Sequence, residues 1–414
     1  MTQDDLVVGL DIGTTKICAI IGQFDAKGTL EIVGVGTTRS RGLRRGVVVN
    51  IEATVKSIIS AIEAAELMSG REIQGVFAGI AGSHIEGINS RGVVAVTGRD
   101  REITSEDVDR VIDAGRAIAF PMDREVLHVI PQEFIVDDQR SIRNPIGMIG
   151  VRLEAEVHII TGSVTSAQNI VKCVNRAGFR VIDMMLEPLA SSRAVLTTDE
   201  KELGTLLVDM GGGTTDVLVY VEGSPYYTEV LPIGGDQVTN DLSIVLKTSM
   251  ESAEKIKIES GCCYMDLLHG EEEVSIPGVG GRPPSIRLRR EIVKIIQPRM
   301  TEVFSMVKEQ VEKRGYLKLL GGGVVLTGGA CQVPGTVELA QDVFGLPARI
   351  GYPVKLGGLV EEYYSPIFAT GIGLVLYGSS KGGEAVGLEK TRKSASVGIS
   401  GVMDRMKNWF KEFF

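Results

Sequence analysis

The stretch Leu206–Tyr220, LLVDMGGGTTDVLVY, interrupts an apolar run with an aspartate, three glycines, two threonines and a second aspartate. Consecutive glycines weaken a strand through backbone entropy, and a carboxylate ending a buried strand needs a partner or a cation. The glycine cost is offset if the turn holds an anion, and the carboxylate cost if a cation comes with it. Backbone N–H groups at a glycine turn form a concave donor surface that fits phosphate oxygens, and hydroxyls add further donors. Val7–Gly22, VVGLDIGTTKICAIIG, repeats the pattern: apolar strand, Asp11 where the other copy has Asp209, glycine turn, paired threonines, apolar strand. Such internal repetition implies two related half-molecules facing each other, each with helices packed on a mixed sheet. The turn Gly13, Thr14, Thr15 and the turn Gly211, Gly212, Gly213, Thr214, Thr215 would then clamp one polyphosphate from two sides. Asp11 and Asp209 suit magnesium, which keeps most of its waters and takes one or two carboxylates. The bland alternative is a pair of tight hairpins with incidental glycines, and the repetition argues against it. No GxxxxGK[ST] occurs, so this is not a P-loop.

A chain of 414 residues exceeds one ordinary core. Its net charge of −9 argues against a general nucleic-acid binder. Cys18, Cys173, Cys262, Cys263 and Cys331 are odd in number and lack CxxC spacing, so neither a disulfide framework nor a zinc site is expected. His84, His128, His158 and His269 form no paired ligand pattern. The acidic start MTQDDLVVGL reads as a strand rather than a signal peptide, and no apolar run reaches membrane-spanning length. The expected compartment is cytoplasmic.

Apolar periodicity orders the remainder. TLEIVGVGTT (29–38) reads as a strand entering a basic loop, RSRGLRRG (39–46). Asn50 caps a helix with Val55, Ile58, Ile59 and Ile62 on one face, and Gly70 ends it. GVFAGIAGSHI (75–85) is the next strand. An α+β insert follows over 85–162, with a strand at 91–98, a helix from Ser105 and strands at 125–136 and 155–162. Then come a helix (166–179), a strand (181–186) and a helix start at EPLA. A mostly helical segment over 235–316 is broken by an irregular stretch at 269–286. A strand and glycine turn (321–335) and a helix (363–378) close the globular part. Beyond Ser379 the Gly/Ser/Ala/Lys composition marks a linker.

In order along the chain, LDIGTTK, EPLA, LVDMGGGTTDV, VVLTGGACQVPG and SPIFATGIGL resemble the five nucleotide-site motifs of the actin, sugar-kinase and chaperone-ATPase superfamily. That resemblance covers nearly the whole chain and implies an actin-like (ribonuclease-H-like), two-lobed α/β fold that binds ATP with Mg2+. It assigns β- and γ-phosphate contacts to the two turns and a place beside them to Lys16. Gly328 and Gly329 would lie under the nucleoside, and the helix AEKIKIESG would bring Glu254 and Lys257 to the ribose and adenine. Glu187 matches the residue that positions attacking water, with slow hydrolysis at most. The insert follows the fourth strand rather than the third, which resembles the FtsA cell-division family or the type IV pilus protein PilM. GIAGSHIEGINSRGVVAV and VIPQEFIVDD resemble the FtsA insert closely. By that likeness the first lobe spans 1–84, 163–203 and 353–378, carrying the insert at 85–162. The second lobe spans 204–234 and 320–352, with a helical subdomain at 235–319, and a linker at 379–398 leads to a tail at 399–414.

The tail, ISGVMDRMKNWFKEFF, reads as an amphipathic helix with Ile399, Val402, Met403, Met406, Trp409, Phe410, Phe413 and Phe414 on one stripe. Arg405, Lys407 and Lys411 lie on the polar side. Bulky aromatics with flanking cations favour an anionic membrane surface; docking on the chain's own core or on a partner are the alternatives. FtsA-family proteins end in such a helix. The resemblance implies a peripheral protein at the cytoplasmic face of the inner membrane. It would polymerise, join other division proteins and tether the tubulin-like FtsZ, whose carboxy-terminal tail would dock near Arg299 and Glu302. The insert is expected to project from the first half and form a filament contact. The competing functions are a PilM-like pilus protein and a sugar or acetate kinase, which would leave the tail without a role.

Overall fold

Strand β1 (Leu6–Ile12) turns at Gly13–Thr15 into β2 (Lys16–Phe24), and β3 (Leu30–Arg39) continues the antiparallel meander. The computed structural model of this chain describes residues 6–358 and 360–388. Helix α1 (Ile51–Ser69) starts where Asn50 accepts from the Ala53 N–H and ends at Gly70 in the left-handed region. Both signals were present in the sequence. Strand β4 (Gly75–Ile80) then pairs parallel with β1.

The insert is built from β5 (Glu86–Ala95), α2 (Ser105–Arg116), β6 (Arg124–Val136), β7 (Gln139–Ile142) and β8 (Arg152–Ser163), in sheet order β5-β8-β6-β7. Thr104 and Asp107 form a reciprocal capping box at the start of α2. Ile103, Val111, Ile112, Phe134, Leu153 and Val157 give the insert a core of its own.

Helix α3 (Val164–Arg176), strand β9 (Arg180–Leu186) and helix α4 (Glu187–Val195) return the chain to the first sheet, whose order is β9-β4-β1-β2-β3. The second half repeats this plan. Strands β10 (Thr205–Met210), β11 (Thr215–Val221) and β12 (Ser224–Leu231) form the meander, and α5 (Gly235–Leu246), α6 (Met250–Ser260) and α7 (Arg289–Lys313) follow. Strand β13 (Val324–Thr327), helix α8 (Thr336–Phe344) and strand β14 (Ala348–Ile350) complete it. The second sheet runs β12-β11-β10-β13-β14, the same antiparallel meander flanked by two parallel strands. Strand alternation splits β10 between two interiors. Leu206, Val208 and Met210 enter the core of the second half, while Leu207 joins the core of the first.

Several expectations need correction. Helix α9 (Ala369–Leu388) continues well into the stretch read as linker from Ser379. Packing nucleates it, and each further residue adds a backbone bond. Ser379 and Ser380 donate to the carbonyls of Leu376 and Tyr377, and Lys381 pairs with Asp183 at 2.6 Å. The irregular stretch at 269–286 contains most of a hairpin, Glu273–Ile276 with Ser285–Leu288. The tail residues Ile399, Val402, Met403, Arg405, Met406, Lys407, Trp409, Phe410, Lys411, Phe413 and Phe414 lie outside the described residues.

The insert also bonds to the second half, which the sequence did not suggest. Fully buried His158 donates from Nδ1 to Asn89 Oδ1 (2.6 Å) and accepts at Nε2 from the Thr228 hydroxyl on β12 (2.9 Å). Asn89 and Gln132 donate to the carbonyls of Tyr226 and Pro225. Burial, aided by Arg314, holds His158 near a pKa of about 3.

An unfolded chain therefore takes up a proton at His158 below about pH 6.5 that the folded chain refuses, so this group costs stability as pH falls. We expect up to about 1.4 kcal/mol per pH unit between pH 6 and 5 from His158. Replacing His158→Gln should flatten that part of the pH–stability curve in chemical denaturation. An unchanged slope would mean that His158 is not buried neutral.

Candidate functional site: a carboxylate-lined cleft between the halves

Both glycine turns reach one cleft of about 480 Å³ between the duplicated halves. It is lined by Asp11, Gly13, Thr14, Thr15, Lys16, Glu187, Asp209, Gly211, Gly212, Gly213, Thr214, Glu254, Lys257, Gly328 and Gly329. Thr215 alone of the cleft residues singled out in the sequence is absent. It begins β11 with its side chain turned inward, and its hydroxyl donates to the Ile233 carbonyl at 2.8 Å. The same alternation returns Asp216 to the cleft.

The two turns meet tip to tip. A Cβ on Gly212 would fall 1.7 Å from Thr15 Oγ1, and one on Gly213 would fall 2.6 Å from Thr14 Oγ1. Glycine is thus required by close approach between the halves. Gly328 has a φ of +85°, and a Cβ there would sit 2.5 Å from Asp209 Oδ1.

Asp11 and Asp209 hold equivalent places, each one residue before the end of its strand. Asp11 pairs with Lys16 at 3.4 Å, and Lys16 also donates to the Ile367 carbonyl at 2.8 Å. Asp209 accepts from the Ser191 and Thr370 hydroxyls. Burial pushes the Asp11 carboxyl upward against the pull of Lys16. It pushes Asp209 up to about 6 despite the Ser191 bond. Glu187 and Asp216 rise well above the carboxylate range through burial and their acidic neighbours. Asp216 Oδ1 is buried with no hydrogen-bond partner among the described residues.

On the opposite wall, Lys257 binds Glu254 (2.7 Å), the Gly235 carbonyl (3.1 Å) and Thr239 (2.9 Å). The cleft therefore concentrates carboxylates whose cations are already engaged. Among the described residues no three His, Cys, Asp or Glu side chains converge as a metal cage. A hydrated cation held by one or two carboxylates fits this donor set, and the orphaned Asp216 oxygen suits a bound water.

Asp216, Asp236, Ser191 and Thr370 were not assigned from sequence. Period-2 alternation from Thr214 could have found Asp216. Nothing local marked Ser191 or Thr370, which reach Asp209 only through the fold. Arg299 and Glu302 lie on α7, away from the cleft. Arg299 is bonded to Asp241 (2.6 and 3.2 Å) and to Glu302, and Glu302 also borders a shallow depression with Lys294, Gln297 and Thr301.

Two family models match the chain: "Cell division protein FtsA" over residues 206–373 and "SHS2 domain inserted in FTSA" over residues 82–161. The cell division protein FtsA of Borreliella burgdorferi is 50% identical over 414 residues, covering 99% of both chains. The chain belongs to the FtsA family of cell division proteins. The FtsA of Pseudomonas aeruginosa is 46% identical over 99% of this chain and 98% of its own, and that of Escherichia coli K12 40% over 100% and 99%. Solved structures share the actin-like fold at lower identity. A chain of the PilM-PilN type IV pilus biogenesis complex matches with a TM-score of 0.65 and 16% identity, over 90% of this chain and 98% of that one. MreB5 of Spiroplasma citri bound to ADP matches with a TM-score of 0.54 and 12% identity, over 94% and 100%.

Without a bound cation, the ionised Asp209 of this FtsA-family cleft is a burden. Its raised pKa means that this group's contribution is complete below the ordinary carboxylate pKa of about 4, is lost as pH rises to about 6, and changes no further above. Asp209→Asn should therefore raise stability at pH 7.5 by on the order of 1–3 kcal/mol, read as a higher melting temperature without magnesium or nucleotide. A lowered melting temperature would show that Asp209 is stabilising as a carboxylate.

Proposed function

We propose that this chain binds ATP with Mg2+ in the cleft and tethers FtsZ filaments to the cytoplasmic membrane during division. The observation that carries the nucleotide reading is the meeting of two glycine turns beside buried, under-neutralised carboxylates in a member of the FtsA family. Asp11 and Asp209 would hold the cation through its waters, and the cation would neutralise charge on the phosphates. Backbone N–H groups of Gly13–Thr15 and Gly211–Thr214 would orient the phosphates, while Glu254 and Lys257 would border the ribose and base. Gly328 and Gly329 would form the floor under the nucleoside. Glu187, protonated more readily than a free glutamate, would position a water and accept its proton slowly, in keeping with at most weak hydrolysis.

For partners, the helical subdomain offers α7. Its Arg299 is held in place by Asp241, so its guanidinium enters any contact pre-ordered. We assign the carboxy-terminal tail of FtsZ to this face, with Arg299 and Glu302 as contacts. Among the described residues no helix is long and apolar enough to cross a membrane. Attachment is assigned to residues 399–414 as an amphipathic helix lying in an anionic surface. One such helix binds moderately, and polymerisation multiplies weak anchors by effective concentration.

The test is recruitment. Fluorescent FtsZ filaments should coat anionic vesicles when the full chain and ATP are present, and Trp409 emission should shift to the blue on adding vesicles. Trp409→Glu should abolish both the coat and sedimentation with lipid. FtsZ recruitment that survives Trp409→Glu would sink the membrane assignment.

A further inference from the structure

The contact where the two glycine turns cross includes a carboxylate that phosphate binding does not require. Asp236 stands in the first turn of α5, with its N–H on the Gly212 carbonyl (2.8 Å) and that of Gly235 on the Gly211 carbonyl (3.0 Å). This backbone pairing fixes α5 to the second glycine turn. Its Oδ1 accepts from the Thr15 hydroxyl of the first turn at 3.4 Å, a bond between the two halves. The Thr14 hydroxyl differs: it accepts from the Gly46 N–H at 2.9 Å, so its own hydrogen stays free to donate. Of Thr14 and Thr15, Thr15 alone has its hydrogen committed to a carboxylate, while on the second turn Thr214 donates to Asp216 Oδ2 within its own half.

Arg39 ends β3 opposite Lys16 in the strand register, and the next residue, Ser40, donates its N–H to the Thr15 carbonyl at 2.9 Å. No described carboxylate lies in ion-pair contact with Arg39. Burial pushes the Asp236 carboxyl upward; Lys257 and, more weakly, Thr15 and Arg39 oppose that rise, and Glu254 adds to it. Asp236 thus places a carboxylate against Thr15 and within the field of Arg39, where the two turns touch.

A phosphate group seated between touching turns must part them and take the donors that hold them together. The outermost phosphate of a chain adds the most negative charge there, so it feels Asp236 as repulsion and Arg39 as attraction. We infer that Asp236 sets the preference of this cleft between nucleoside triphosphate and diphosphate, by holding the Thr15 hydroxyl that a third phosphate would take. Arg39 is the counter-charge that this phosphate gains on entry. The inference rests on the nucleotide reading of the cleft and adds to it a residue that selects by phosphate number.

Calorimetric titration of the full chain with magnesium-ATP and magnesium-ADP tests it. Asp236→Asn keeps the size and the acceptor oxygen while removing the charge, and should raise ATP affinity relative to ADP by about two- to fivefold, the range of a partly exposed charge pair. Arg39→Ala should lower ATP affinity by a similar factor and leave ADP unchanged. Asp236→Ala, which also frees the Thr15 hydroxyl, should exceed Asp236→Asn in the wild-type background and match it in a Thr15→Ala background, which a purely structural role for Asp236 would not produce. Wild-type chain that binds both nucleotides, with an ATP-to-ADP ratio unmoved by Asp236→Asn and Arg39→Ala, would overturn the inference alone. Wild-type chain that binds neither nucleotide would overturn the underlying reading as well.

Discussion

The fold depends on repulsion held in check. Asp11, Glu187, Asp209 and Asp216 crowd one buried cleft, and Lys16 offsets the first three. Like charges in a desolvated site raise one another's pKa and weaken the empty protein. A core built for stability alone would put apolar side chains at these strand ends. Duplication explains the geometry: two equivalent strands deliver Asp11 and Asp209 to the same place from opposite halves. The glycines then follow, because the turns approach so closely that a Cβ on Gly212 would fall 1.7 Å from Thr15 Oγ1.

That arrangement constrains motion between the halves. The second sheet is buried on both faces, with Leu207, Leu218, Tyr220 and Val325 packed into the core of the first half. A second tie lies at the insert, where His158, Asn89 and Gln132 bind the edge strand β12. Opening of the cleft must either carry the insert along with the second half or break a buried polar network. Such networks hold a unique arrangement when fully satisfied. The insert is therefore mechanically part of both halves, although the chain enters and leaves it from the first.

Much of this was legible in the sequence for local reasons. Asn50 and Gly70 bound α1 by cap chemistry, and the repeated Asp-glycine-threonine pattern located the cleft from both sides. What escaped was set by tertiary context. Thr215 looked like a phosphate donor, but one step of strand alternation turns it to Ile233 and brings Asp216 forward instead. The helix through Ser379 and Ser380 reads as linker by composition, yet it is anchored by Asp183 on a strand far away in sequence. The tie between His158 and Thr228 joins residues with no shared motif, so only packing brings them together.

The proposed magnesium nucleotide between the two turns can be located directly. Crystals grown with manganese in place of magnesium, and with a non-hydrolysable ATP analogue, would show it through anomalous scattering. A single manganese peak is expected beside Asp11 and Asp209, with phosphates between Gly13–Thr15 and Gly211–Thr214. Phosphate density elsewhere, or a manganese peak away from both aspartates, would contradict it.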